Sequence, residues 1–201
     1  IINPWVMYQQ TGDVSILREN WDAMVYYMEF LQNNERAVNQ APLDPGADRN
    51  YGDWLSFQGT SVAVMADYYY GYMAQIMSKI AGILGETAAE EQYTQKFEAL
   101  KETFLQAHVT FQDGALVIKS GNTDSERYQF FGQGYNADGS PKKGGVWEDN
   151  SQTSLLWMLK LGYYDSDEMK DAAEELLIEN IRNENPEPSS IRSQYGENTL
   201  A

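Results

Sequence analysis

The chain has 201 residues, 30 Asp plus Glu against 14 Lys plus Arg, a formal net charge of −16, one histidine and no cysteine. These figures exclude a disulfide framework, a thiolate metal site and a zinc site built from several histidines, and the charge argues against a phosphate backbone as partner. With 42% hydrophobic and 13% aromatic residues the chain can bury a core, no apolar run reaches the roughly 20 residues of a membrane span, and a start at Ile1 with no signal peptide in view suggests that an end has been cut.

Asn3-Pro4 reads as N-cap and first helical residue and Gly12 as a stop, so a short helix is expected over Pro4–Thr11. Asp13 caps a second helix over Val14–Asn33, where Leu17, Trp21, Met24, Met28 and Leu31 recur at three- and four-residue steps. Charged residues such as Arg18, Glu19, Asp22 and Glu29 fill its other positions, the pattern of a helix with one wet face. From Asn34 to Gly59 the chain is rich in Asn, Pro, Asp and Gly and has no period, which predicts a long loop ending in Tyr51-Gly52-Asp53-Trp54-Leu55. Thr60 or Ser61 can cap a third helix reaching Leu84. Apolar residues lie nearly all round it and Asp67 and Lys79 are its only charges, so burial on every side is expected.

Gly85 stops that helix and Thr87 starts a fourth, with one stripe of Tyr93, Phe97, Leu100 and Phe104 and charged residues over the rest. Asp113-Gly114 between apolar stretches predicts a hairpin over Val109–Ile118. A second irregular stretch then runs through Gly132-Gln133-Gly134 and Gly144-Gly145 to Trp147-Glu148-Asp149. The fifth helix, Ser151–Leu161, carries Lys160 as its one charge and stops at Gly162. Asp165 or Ser166 caps the sixth, with Met169, Ala173, Leu176, Leu177 and Ile181 inward and Asp171, Glu174, Glu175 and Glu179 outward; the chain from Asn185 to Ala201 is polar and reads as loop.

Amphipathic helices two, four and six thus alternate with apolar helices three and five, and short links alternate with long ones. Antiparallel pairs place all the short links at one end and the long ones at the other. Apolar helices inside and amphipathic ones outside give an (α/α) toroid, and six helices make three hairpins, about half of a six-hairpin barrel, with no internal domain boundary in 1–201. A helical-repeat solenoid is the other architecture, but it keeps a fixed repeat length and a recurring motif that are missing here. Half a ring should leave apolar edges, so an isolated chain is expected to associate or be unstable. Loops longer than about 12–15 residues are usually functional, so the N-terminal ends of the inner helices are the face to search.

On that face, the Asp53 carboxylate can accept hydrogen bonds from sugar hydroxyls and Trp54 can offer a platform to sugar C–H groups; equally, Asp53 can cap a turn and Trp54 can plug the ring. Trp147-Glu148-Asp149 stands at the matching point before helix five. Its acids could supply one of the two carboxylates a glycosidase needs or complement the helix dipole. Asp44 and Asp48 lie in the first loop, where turn formation also accounts for them. His108, ending helix four, suits that helix's C-terminus as an imidazolium and makes no metal site alone. Tyr68-Tyr69-Tyr70 reads as core and ring lining, and neither glycine cluster has the setting of a phosphate loop. No nucleophilic triad is available, and no cofactor or metal is expected.

The segment from Pro4-Trp5-Val6-Met7-Tyr8-Gln9-Gln10-Thr11-Gly12-Asp13 through Ile16-Leu17 and Trp21-Asp22-Ala23-Met24 resembles bacterial α-L-rhamnosidases of glycoside hydrolase family 78. So, in order, do Tyr51-Gly52-Asp53-Trp54-Leu55, Ile80-Ala81-Gly82-Ile83-Leu84-Gly85, the Tyr93–Phe104 helix and Ser151-Gln152-Thr153. The stretch between Ile118 and Val146 carries least of it. The resemblance implies an (α/α)₆ barrel that hydrolyses terminal α-L-rhamnose with inversion, one Glu acting as general acid and another as general base on a water. In the family both glutamates lie outside the segment equivalent to this chain, so it implies no catalytic residue within 1–201 and an inactive fragment. It carries sugar contacts to Asp53 and Trp54, and after them Trp147. The partners it implies are a rhamnose-containing glycoside or polysaccharide and the rest of the chain's own barrel, with no nucleic acid or membrane. Linkage preference, calcium, oligomeric state and compartment (bacterial cytoplasm or periplasm) stay open. Other (α/α)₆ glycosidases, polysaccharide lyases and a non-enzymatic helical scaffold are the alternatives.

Overall fold

The computed structural model describes residues 1–33, 60, 62–119 and 150–183. Among them the helices are α1 (Ile2–Thr11), α2 (Val14–Asn33), α3 (Val62–Leu84), α4 (Thr87–His108), α5 (Gln152–Leu161) and α6 (Asp167–Asn183). A hairpin of β1 (Val109–Gln112) and β2 (Ala115–Ile118) follows α4, antiparallel, with Val109 opposite Ile118 and Gln112 opposite Ala115. Its two-residue turn has φ of 52° at Asp113 and 79° at Gly114, the doubly positive conformation that suits the strand twist.

The helices form three antiparallel hairpins, α1/α2, α3/α4 and α5/α6. Their short links turn on Gly12, Gly85 and Gly162, each with φ near 70–80°. Side-chain caps act at both ends. Ser151 Oγ accepts the Ser154 N–H at 3.1 Å, and Ser166 Oγ accepts the Met169 N–H at 3.2 Å. Asp13 Oδ1 accepts the N–H and the hydroxyl of Ser15 at 2.9 and 2.7 Å; these bonds hold its carboxyl below the usual carboxylate range. One boundary differs from expectation. Helix α1 begins at Ile2 with Ile1 in the cap position, two residues before Asn3-Pro4 would start it. Pro4 is tolerated as the third helical residue because the first four N–H groups of a helix have no partner within it.

Apolar burial divides into two clusters that share α3 and α4. Val64 and Tyr68 of α3 join Phe104, Leu116, Ile118, Leu155, Met158, Leu161, Tyr163, Met169 and Ala173 on the α5/α6 side. Tyr70, Ala74, Ile76, Met77 and Ile80 join Leu17, Met24, Met28, Leu31 and Tyr93 on the α1/α2 side, and the rings of Tyr72 and Phe97 pack against both clusters. The helix read as apolar on all sides is therefore buried along most of its length, with Tyr69 and Ile83 partly in the open. Lys160, the lone charge of α5, lies 4.3 Å from the Tyr72 ring centre and 4.5 Å from that of Trp157, so its ammonium is held against aromatic faces. Ile181, expected inward, is 48% exposed. No described element covers that flank of α6.

Tyr163 ties α5/α6 to α3. Its side chain is fully buried, and a methyl at Gly71 would stand 1.8 Å from its hydroxyl oxygen. The hydroxyl has no hydrogen-bond partner among the described residues. Burial first, then the charges of Asp67 and Glu98, push its ionisation well above the ordinary 10.0. Gly71→Ala is therefore expected to cost about 1–3 kcal/mol through overpacking, whereas Tyr163→Phe, which removes an unpaired buried hydroxyl, should be neutral or stabilising in urea unfolding. Because the folded-state value is raised, the phenol's contribution is complete below pH 10. Stability should fall above it as the unfolded chain ionises first, and Tyr163→Phe should flatten that slope.

Candidate functional site

The N-terminal ends of α3 and α5 meet at a hydrogen bond between the Thr60 and Ser151 hydroxyls, both fully buried. Residue 60 ends the first long link and residue 151 follows the second, so the two links return to the core at one point. Asp53, Trp54 and Trp147, together with Asp44, Asp48, Glu148, Asp149 and both glycine clusters, lie outside the described residues.

Around this point the described side chains build a polar network. The Asn150 Oδ1 accepts the Ile118 N–H at 2.7 Å, and its Nδ2 donates to the Leu116 carbonyl at 3.2 Å. In the β1/β2 register these two backbone groups point away from β1, so the carboxamide covers the outer edge of β2 as a strand would. Asn180 Nδ2 of α6 donates to the Asn150 carbonyl at 2.6 Å.

On the other side of the hairpin, His108 exchanges backbone and side-chain bonds with Lys119. The Lys119 N–H donates to the His108 carbonyl at 2.7 Å, and His108 Nδ1 lies 2.8 Å from the Lys119 carbonyl. That carbonyl can only accept, so Nδ1 carries a proton. Nε2 lies 2.9 Å from Asp67 Oδ2 of α3. An ionised Asp67 also only accepts, and the two bonds together then require an imidazolium.

His108 ends α4 as expected, and the structure adds what the sequence reading did not give, its burial and its partners. It is 5% exposed and joins α4 to α3 and to the end of β2. The signal was present: 108 continues the buried stripe 93, 97, 100, 104 by one more four-residue step, and Asp67 is the only acid on α3. Asn150 was missed because nothing in a single asparagine before a helix marks it as a strand partner. The tyrosine run divides: Tyr68 and Tyr70 are core, while Tyr69 is 40% exposed with its ring centre 4.9 Å from that of Trp157. Among the described residues no three His, Asp or Glu side chains gather to hold a metal, and no helix is long and apolar enough to cross a membrane.

Three consecutive α/α hairpins, apolar helices to one side and amphipathic ones to the other, define part of a six-hairpin toroid. Residues 1–190 match the family described as the bacterial alpha-L-rhamnosidase 6 hairpin glycosidase domain, and the chain belongs to that family. An alpha-L-rhamnosidase of Streptomyces avermitilis is 29% identical over 123 residues, 61% of this chain, and one of Formosa agariphila is 25% identical over 111 residues, 51% of this chain. The chain spans 11% of the length of each of these relatives. Among solved structures, Streptomyces avermitilis alpha-L-rhamnosidase complexed with L-rhamnose superposes with a TM-score of 0.60 at 23% identity, over 89% of this chain and 14% of that one. The alpha-L-rhamnosidase from Dictyoglumus thermophilum gives 0.60 at 22% identity, over 90% and 17%. These likenesses bear out the toroid over the solenoid.

Ser151→Ala would remove the cap of α5 and leave the Thr60 hydroxyl without this partner. A loss of about 1–2 kcal/mol is expected in thermal unfolding.

Proposed function

We propose that the chain is the central part of the catalytic barrel of a glycosidase that releases terminal α-L-rhamnose with inversion. Family membership supports the glycosidase class, and the named activity of the two curated relatives supports the sugar. In this reading the general acid and general base are glutamates contributed by other parts of the polypeptide. They stand about 6.5–9.5 Å apart so that a water fits between the base and the anomeric carbon. Asp53 accepts hydrogen bonds from rhamnose hydroxyls, and Trp54 and Trp147 wall the pocket. The rest of the same barrel is the partner of the chain's open edges.

The observation that carries the reading for this face is the Thr60–Ser151 contact. Chain connectivity alone keeps Asp53 within about 25 Å of it and Trp147 within about 14 Å, since each residue spans at most about 3.6 Å. Two acidic-aromatic runs far apart in sequence are thus tethered to one point of the core.

An aryl α-L-rhamnoside assay tests the proposal. The 201-residue chain alone should show no turnover, and the complete encoded polypeptide should turn over; robust activity of the short chain would contradict the external acid and base. In the complete polypeptide Asp53→Asn should lower kcat/KM by about 10–100-fold, the equivalent of one lost hydrogen bond to a charged group. Unchanged kinetics would remove Asp53 from the site. Activity on another glycoside in a substrate panel, with none on rhamnosides, would change the sugar while keeping the fold.

A further inference from the structure

We propose that the His108–Asp67 pair is a pH-sensitive latch. With its ring protonated, His108 ties α4 both to α3 and to the residue that ends β2, and on losing one proton it gives up one of these ties. The latch is separate from the glycosidase reading and holds whatever the substrate.

The His108 ring stands between two acceptors. Nδ1 lies 2.8 Å from the Lys119 carbonyl and Nε2 lies 2.9 Å from Asp67 Oδ2, so both bonds need a proton from the ring. A neutral imidazole carries one. A bond to a carboxylate is roughly twice as strong as one between neutral groups, so the remaining proton stays on Nε2. Nδ1 then faces the Lys119 carbonyl as acceptor against acceptor. What is left between the two residues is the backbone bond from the Lys119 N–H to the His108 carbonyl, 2.7 Å long.

The groups around the ring decide which form the fold prefers. Asp67 of α3 favours the charged ring, and burial at 5% exposure opposes it. From α4, the Phe104 ring centre lies 4.9 Å away. Lys96 lines a cavity of about 240 Å³ with Asp67 and Phe104, so its ammonium acts on the same carboxylate and against the imidazolium. Lys119 meets the ring through its carbonyl and brings a second cation. From the α5/α6 link, the Tyr163 phenol senses the charge of Asp67 and stays neutral below pH 10. The strands, α5 and α6 meet this cluster through apolar side chains. The carboxylate and the two bonds outweigh the burial and the cations in the latched form. An unfolded histidine titrates at about 6.5. With the folded value above that, the latch contributes in full below about pH 6.5 and is lost as pH rises through the folded value.

Hydrogen exchange on the complete encoded polypeptide, corrected for the intrinsic pH dependence of amide exchange, tests the latch. Protection at Lys119 should fall about tenfold or more between about pH 5 and about pH 9, while α2, in the other core cluster, keeps its protection. Asp67→Asn offers a carboxamide that can donate to a deprotonated Nε2, so the neutral ring makes both bonds. Protection at Lys119 should then stay within about twofold over the same range. His108→Gln, which cannot titrate, should also lose the pH dependence. A flat wild-type profile overturns the latch, and so does an equal fall in either variant. If Asp67→Asn does not fold, the wild-type slope against His108→Gln decides.

Discussion

The structure depends on covering α3. This helix supplies residues to both core clusters, and Val64, Tyr68, Ala74, Met77, Ile80 and Ala81 are completely buried. At about 1.5–3 kcal/mol for each large apolar side chain taken from water, no arrangement that leaves α3 exposed could compete. Its partners follow from that demand. Helix α4 lies alongside through a two-residue link, and α5 packs on it with Leu155 and Met158. Tyr163 closes so tightly over Gly71 that no side chain fits there. The rings of Tyr68, Phe104 and Tyr163 stand 4.4–5.8 Å apart and fill the space between the second and third hairpins.

The two ends of the arc solve the backbone problem differently. At the short-link end, left-handed glycines let helix carbonyls bond to the backbone just beyond, as Gly162 and Tyr163 N–H groups do with Leu159 and Met158. Asp13 and Ser166 add side-chain bonds to the helices that start there. At the long-link end the described residues flanking the links carry buried polar groups that must be paired. Side chains do that work: Ser151 for Thr60 and Ser154, Asn150 for β2, His108 for Lys119 and Asp67. These side-chain bonds fix the described residues that flank both long links.

Much of this was legible in the sequence because it follows from local rules. Periodicity gave each helix, Gly and Ser or Asp gave most ends, and Asp113-Gly114 gave the hairpin. The alternation of short and long links gave the antiparallel order. What escaped were pairings between residues far apart in the chain. His108 and Asp67 are 41 positions apart and Thr60 and Ser151 are 91 apart. A lone histidine at a helix end fits a dipole argument as well as a burial argument, and only its continuation of the 93–104 stripe favours the second. Ile181 failed for the opposite reason: its helical phase is right for burial, but α6 is the last outer helix described and has no neighbour on that side. The sugar-contacting residues inferred from resemblance lie outside the described residues, so for them the sequence remains the whole argument.

The exposed edges discriminate between a ring and a free-standing repeat stack. In a solenoid the terminal repeats carry a polar outer face that ends the array. Here α1 buries no residue fully, and Ile1, Ile2, Met7, Ile16, Ala23, Met24 and Tyr27 line an open groove of about 730 Å³ along the α1/α2 flank. The opposite flank presents Ile178 and Ile181 at 46% and 48% exposure. The middle hairpin, which alone has a described neighbour on each side, holds six completely buried apolar residues, against Leu17 alone in α1/α2 and Leu155, Met158 and Ala173 in α5/α6. Burial that peaks in the middle and apolar surface at both flanks are what consecutive hairpins of a closed ring require. The net charge of −16 lies largely away from these flanks. Glu19, Glu29, Glu91, Glu102, Glu174 and Glu175 are exposed on the outer helices, where like charges meet water and leave the inner helices to pack without them.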